Sequence, residues 1–398
     1  MHFKNRYYRV QPHSDGLHLC VNVVHIHMIP GYTTPSRNLF ALLLLFLSVV
    51  ASGQTKTPER NPAQFDAYIA QLMKRDSIPG MSIAIIRQNK LVYHKGYGLT
   101  RSDSTQAVTA ETIFEAASLT KPTFAYAVLQ LVEQGKLDLD KPLYEYLPYS
   151  DVAADERYKK ITARLVLSHR SGLPNWRKNR RSAELAMLRT PGERFGYSGE
   201  GFVYLQKVVE KITGKPINEF MEEHVLKPLS MTHSGYVWKP AFDSHVALPH
   251  YGGENVGEKY KPDQANMAYS LQTSADDYAK FIQAILTPKS LKTATIDQML
   301  SQQTQLPTRF SGDTLSTRLY WGLGFGLERT PNDVYFWHWG DNGAFKCYVV
   351  GSRSRKEAVV YFTNATTGLR LISDITSLVL GYDPATSGFL GYQTAKKK

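Results

Sequence analysis

TIFEAASLTKPTFAYAVLQLVEQG, residues Thr112 to Gly135, joins two patterns in one segment. Thr112 to Phe114 is a short β-prone run. From Ser118 onward Phe124, Val128, Leu131 and Val132 recur at helical spacing until Gly135 stops the helix. At the junction stands Ser118-Leu119-Thr120-Lys121, the one place in the chain with an S-x-x-K spacing. A serine that opens a helix lies at the positive end of the helix dipole, where a developing oxyanion is stabilised. Lys121, one turn on, shares its face and reaches its hydroxyl. A lysine whose pKa falls through burial can act as base for such a nucleophile. The spacing alone is weak, because a serine cap followed by a solvated lysine has the same letters.

Upstream, Phe65 to Lys74 has the apolar spacing of a helix, and Met81 to Ile86 and Lys90 to Gly96 form a predicted hairpin across Arg87-Gln88-Asn89. Downstream, the chain from Leu137 to about Leu300 is loop-rich, with helices predicted at Ile161 to Leu167, Gly201 to Ile212, Ile217 to Val225 and Asp276 to Leu286. Strands return at Gly322 to Leu327, Val334 to Trp337, Lys346 to Gly351 and Glu357 to Thr363, and a last helix covers about Leu369 to Leu380. Strands at both ends with helices between them predict an α/β (α+β) protein. Its antiparallel sheet is built from residues of about 54–136 and 320–392, and a mostly helical lobe of about 137–319 is inserted between them.

The N-terminus reads differently. Leu39 to Val50 is apolar apart from Ser48, follows Arg37 and precedes Ala51-Ser52-Gly53-Gln54. That run is too short for a membrane-spanning helix, which needs about 20 apolar residues, and has the layout of a secretory signal cleaved after Gly53. Residues 1–27 exceed an ordinary signal flank, so Met28 is the expected true start. The expected location is therefore exported, periplasmic or extracellular.

The 398 residues carry 47 Lys+Arg against 35 Asp+Glu, a net +12 that at first suggests nucleic acid. Residues 1–53 hold four of those cations and one acid, which leaves 43 against 34 in 345 residues. Three of the remaining cations are Lys396, Lys397 and Lys398, in a basic tail of residues 393–398. The others are dispersed, so the expectation is no nucleic acid and, at most, contact with an anionic cell envelope. Cys347 is the one cysteine left, and it has no disulfide partner.

Several segments, in order, resemble the serine beta-lactamase and penicillin-binding protein superfamily, most closely its class C beta-lactamase-like branch with related esterases. They are Ile78 to Gly135, Leu165-Val-Leu-Ser-His-Arg-Ser-Gly-Leu-Pro174, Phe195-Gly-Tyr-Ser-Gly199, Pro228-Leu-Ser-Met-Thr232, Gly322-Leu-Gly-Phe-Gly326 and His338-Trp-Gly340. The resemblance implies a Ser118 acyl-enzyme, with Lys121 and Tyr197 as proton partners. It further implies an oxyanion hole from the backbone N–H groups of Ser118 and Asp341, with His338, Trp339, Gly340 and Gly199 lining the substrate site. No metal or organic cofactor is implied.

Two departures bear on the substrate. The family's second motif is usually Tyr-x-Asn, but here it is Tyr197-Ser198-Gly199. An amide is therefore absent, and the following Glu200 is expected either to fill its place or to face solvent. His338 stands where beta-lactamases have lysine, which weakens recognition of a substrate carboxylate because histidine is mostly neutral at pH 7. Trp339 beside it is expected to floor an apolar pocket or simply to pack. The expected activity is hydrolysis of an ester, or of an amide in a peptide with a D-residue. A true beta-lactamase or D,D-peptidase is the enzymatic alternative, and a catalytically weak penicillin-binding sensor is the alternative of another class.

Overall fold

The structure is a computed structural model and describes residues 61–179, 184–252, 255–307 and 316–392. The signal-like leader and the lysine tail lie outside those residues. Among the described residues no helix is long and apolar enough to cross a membrane.

The chain enters through helix α1 (Pro62–Arg75), capped by Asn61, whose side chain accepts from Gln64 N at 3.0 Å. Strands β1 (Gly80–Arg87) and β2 (Lys90–Gly98) follow, turning at Gln88 and Asn89. Both turn residues have positive φ, as a two-residue hairpin requires. The short strand β3 (Phe114–Glu115) leads to a tight turn at Ala117–Leu119 and helix α2 (Thr120–Glu133). Helices α3 (Ala163–Leu167), α4 (Gly199–Thr213) and α5 (Ile217–Met221) come next, and α5 runs on as a wide turn to Leu226. Strand β4 (Gln272–Thr273) pairs with β3, ahead of helices α6 (Ala275–Leu286) and α7 (Thr293–Met299). Strands β5 (Thr304–Gln305), β6 (Leu319–Trp321), β7 (Gly326–Arg329), β8 (Val334–Asn342), β9 (Phe345–Ser352) and β10 (Glu357–Thr363) complete the sheet. Helices α8 (Ile372–Leu380) and α9 (Thr386–Leu390) close the chain.

The main sheet is antiparallel, in the order β2-β1-β10-β9-β8-β7-β6-β5. β1 lies against β10, with Met81 opposite Thr363 and Ile86 opposite Ala358, so the two chain ends do share one sheet. Alternation at period two separates its faces. Ile83, Ile85, Val359 and Tyr361 join Phe65 and Ile69 of α1 and Ile375 and Val379 of α8 in one core. Ala84, Ile86, Val360 and Phe362 face the other core with α2 and α6. Helix α2 is buried on nearly all sides from Thr120 to Leu131, which places the serine-lysine segment at the centre of the molecule.

Four expectations change. Gly322 to Leu327 is not one strand: Gly322–Phe325 turns between β6 and β7, with Gly322 N donating to Phe325 O at 2.8 Å. Gly324 has φ +93, and a Cβ there would stand 2.5 Å from the Ala125 Cβ, so these glycines let the turn press onto α2. β8 runs five residues past Trp337 and carries the third motif inside the sheet. Helix α6, expected in the helical lobe, instead packs on β1 and β10 as part of the sheet's own layer. The helix predicted at 161–167 is shorter, covering Ala163–Leu167, and the one predicted at 217–225 changes type, α-helical over Ile217–Met221 and π-helical over Glu222–Leu226.

Candidate active site

The turn before α2 is held from four directions. Ala117 has φ +46, a strained conformation for a residue with a Cβ. Thr120 Oγ1 donates to Ala117 O at 2.6 Å and accepts from Leu271 N at 3.0 Å. Ala116 N donates to Leu271 O at 2.8 Å, and Cys347 Sγ lies 3.1 Å from Ala116 O. Behind the turn runs β8. A Cβ on Gly340 would stand 2.4 Å from Ala116 O and 2.3 Å from Cys347 Sγ, so glycine is what lets the strand approach the Ser118 turn. Gly340→Ala is therefore expected to push β8 off this turn. We expect it to cost about 1–3 kcal/mol of stability in urea unfolding and to lower kcat more than it raises KM.

Lys121 Nζ donates to Ser118 Oγ at 3.1 Å and to Ala268 O at 2.7 Å. The side chain is fully buried, and desolvation pulls its ammonium down to about 7. No carboxylate opposes that shift. The amine sits 4.9 Å from the Tyr197 ring centroid and 5.5 Å from that of Phe202.

The Tyr197 ring lies beside the Lys121 amine. That ring packs at 4.1 Å on His169, 4.9 Å on Trp339 and 6.1 Å on Trp321, measured between centroids. Burial raises the phenol's pKa, and the nearby Ser118 hydroxyl offsets part of the rise. The phenol oxygen is buried, and among the described groups none completes a well-formed hydrogen bond to it. His169 supports this residue from below: its Nδ1 accepts from Ser198 N at 3.1 Å, and its carbonyl accepts from Gly196 N at 2.8 Å. With Nδ1 accepting, the ring proton resides on Nε2. Burial holds the imidazole neutral, so His169 positions Tyr197.

His338 is fully buried, with Nδ1 at 2.8 Å from the Trp339 carbonyl. Burial first, and then the Lys121 charge, pull its pKa down to about 3. It is thus neutral over any working pH and offers a substrate carboxylate no charge. The Trp339 ring lies tilted against Tyr197 at 4.9 Å and against Trp337 at 5.9 Å, and the residue is only partly buried. The Asp341 side chain turns away to Lys346 and to the Tyr392 hydroxyl at 2.7 Å.

At the second motif the structure departs from both expectations. Gly199 opens α4 under the cap of Ser198, whose Oγ accepts from Gly201 N at 2.9 Å. A Cβ at position 199 would meet Trp176 Cη2 at 2.7 Å and Asn175 O at 2.8 Å, so the indole of Trp176 fills the space where the second-motif asparagine would project. Glu200 neither takes that place nor faces solvent. It is buried and paired with Arg177, with Oε1 accepting from Nε at 3.0 Å and Oε2 from Nη2 at 2.8 Å. Arg177 also holds Asp151 at 2.9 Å. This network keeps the carboxylate off Lys121, whose hydrogen bonds go to Ser118 and Ala268.

A model of the family described as Beta-lactamase matches residues 65–379. The chain belongs to the beta-lactamase family. Among this beta-lactamase family member's relatives, Protein flp of Staphylococcus aureus (strain MW2) is 26% identical over 254 residues, covering 59% of this chain and 51% of that protein. Esterase EstB of Burkholderia gladioli is 28% identical over 219 residues, 48% of this chain and 55% of the esterase. The aligned stretches thus span about half the length of these relatives. In fold, the chain is similar to the D-alanine carboxypeptidase AmpC from Burkholderia cenocepacia, with TM-score 0.67, 20% identity and coverage of 79% and 96%. It is equally similar to a class C beta-lactamase, with TM-score 0.67, 21% identity and coverage of 79% and 94%.

Position by position, the structure brings together Ser118, Lys121, Tyr197, His338 and Gly340. Trp176 and Arg177 complete the site without having been singled out from sequence, whereas the resemblance marked His169 as a structural position, not a direct catalyst. His169 lies in a quoted motif, whereas nothing in the local pattern marks Trp176 or Arg177.

Proposed function

We propose that this serine hydrolase family member is an exported acyl hydrolase working through a Ser118 acyl-enzyme on an ester, or on the amide of a D-residue, in preference to a beta-lactam. The observation that carries the reading is the buried, unopposed amine of Lys121, 3.1 Å from Ser118 Oγ with a pKa of about 7. In acylation the Ser118 oxygen bonds to the substrate carbonyl carbon while its proton passes to neutral Lys121. Backbone N–H groups of Ser118 and Asp341 hold the oxyanion, a class of contact in which losing one donor costs about 3–4 kcal/mol. The leaving alcohol or amine departs with a proton relayed through Lys121 and Tyr197. Water then attacks the acyl carbon and loses a proton to the same pair; the bond from the acyl carbon to Ser118 Oγ breaks, that proton passes to Oγ, and the acid leaves with Ser118 and neutral Lys121 restored.

Two observations support the preference over a beta-lactam: His338 is held neutral and offers a carboxylate no charge, and Trp176 fills the space of the second-motif amide, which would contact an acylamino side chain. The test is a panel of p-nitrophenyl esters, D-aminoacyl amides and a chromogenic cephalosporin offered to the purified protein. Esters or D-amides should exceed the cephalosporin in kcat/KM by about tenfold or more, the value of one lost buried hydrogen bond. A cephalosporin rate equal to the best ester would overturn the preference, and absence of turnover with all three would favour a binding protein. N-terminal sequencing of the exported protein tests export, with a mature chain starting before Leu39 as the contrary result.

A further inference from the structure

A cavity of about 780 Å³ is lined by residues that continue, in sequence, the segments that carry the chemistry. Glu115 precedes Ser118 by three residues, Glu200 follows Tyr197, Asp341 and Asn342 follow Gly340, and Tyr269 follows the carbonyl that holds Lys121. Five aromatic rings line the cavity: Trp176, Tyr251, Tyr260, Tyr269 and Phe345, of which Phe345 already holds the Lys259 amine 4.3 Å from its centroid. Trp176 meets Tyr269 edge-on at 5.6 Å, and Tyr260 lies 6.4 Å from Tyr269. Tyr251 lies over the backbone of Gly257, where a Cβ would come within 2.6 Å of its ring, and reaches Gly343. Tyr251 and Tyr260 are 53% and 44% exposed, an unusual outlay of aromatic surface on one opening.

The charges around the rings are unbalanced in one direction. Arg177 is shared by Glu200 and Asp151, Lys259 is held by Glu115 at 2.8 Å, and Lys346 is held by Asp341. Those three cations are already engaged by four carboxylates, and Glu258 adds a fifth, exposed at the cavity. His338 carries no charge. An anionic substrate group would enter a field of its own sign, and a merely apolar one would leave the carboxylates idle. Ring faces attract a cation within about 6 Å of their centroids, most strongly when carboxylates stand behind them.

We infer that the acyl part of the substrate carries a cationic head of the substituted-ammonium type, held by this aromatic cavity; the inference rests on the acyl-hydrolase reading for its link to Ser118. The test uses three methyl esters of equal chain length ending in trimethylammonium, tert-butyl or carboxylate. They are titrated calorimetrically into the full-length Ser118→Ala protein, where binding is read without turnover. The matching p-nitrophenyl esters are given to the wild type. The cationic ester should bind at least about tenfold more tightly than the tert-butyl one, and the carboxylate should bind most weakly. Glu258→Gln combined with Tyr260→Ala should cut the cationic advantage to less than about threefold, and raised salt should weaken it. Equal binding of the cationic and tert-butyl esters, tightest binding of the carboxylate, or no binding of any ester would overturn the inference. Cation-selective binding without turnover of any nitrophenyl ester by the wild type would leave the cavity assignment standing and remove the acyl-hydrolase reading instead.

Discussion

Ser118→Ala is expected to lower kcat/KM on the best ester by at least about a thousandfold, to the level that oxyanion donors and binding alone provide. No other serine has its hydroxyl on a buried lysine among the described hydrogen bonds, so no second nucleophile is placed to replace it. A fluorophosphonate should add one mass increment to the wild type and none to the variant. The loss should be chemical, since Ser118 is only partly buried and the turn keeps its bonds from Thr120, Leu271 and Cys347. The urea midpoint should move by no more than about 0.5–1 kcal/mol equivalent. Labelling that persisted in Ser118→Ala would place the nucleophile elsewhere.

The second large effect concerns Lys121. Its amine must be neutral to take the serine proton, and its pKa is about 7. In the free enzyme kcat/KM should therefore rise about tenfold per pH unit below 7 and level off above it. Lys121→Met, close in length but unable to accept a proton, should lose about 10²–10⁴ in kcat and abolish that limb of the profile.

The same titration should appear in stability. The folded-state pKa lies below the value of about 10.4 for an unfolded lysine, so between about 7 and 10.4 the unfolded chain binds the extra proton. Wild-type stability should climb with pH across that window, by up to about 1.4 kcal/mol per unit. Lys121→Met should remove the slope and be at least as stable as the wild type at pH 7, because a buried amine has been exchanged for an apolar side chain. A pH profile unchanged in Lys121→Met would sink the base assignment.

Local pattern carried much of the fold and the centre of the site. The apolar runs within Met81 to Ile86 and Glu357 to Thr363 marked strands, which the structure buries on both faces, and the helical spacing after Ser118 put serine and lysine one turn apart. These properties depend on neighbours in sequence. The break in the predicted strand at Gly322 was not legible, because what bends it is contact with Ala125, two hundred residues away in the chain.

The same distinction runs through the site. Ser118, Lys121, Tyr197 and His338 could be named from sequence because short motifs contain them. Their chemical states could not, since the amine near 7 and the imidazole near 3 come from desolvation by residues remote in the chain. Glu200 shows the limit most clearly. Next to the second motif its carboxylate had two plausible destinations, and a partner 23 residues upstream, Arg177, draws it to a third.

What the sequence by itself determined is the order of the main strands and helices and the one-turn spacing of Ser118 and Lys121, because hydrophobic periodicity and helix geometry act over a few residues; Tyr197 and His338 were named through the family resemblance. Only the tertiary structure decided that Trp176 occupies the space beside Gly199, that burial holds His338 neutral, and that aromatic rings and carboxylates from distant segments line one cavity. Those properties belong to volumes and fields assembled from distant segments, and no local pattern of letters records them.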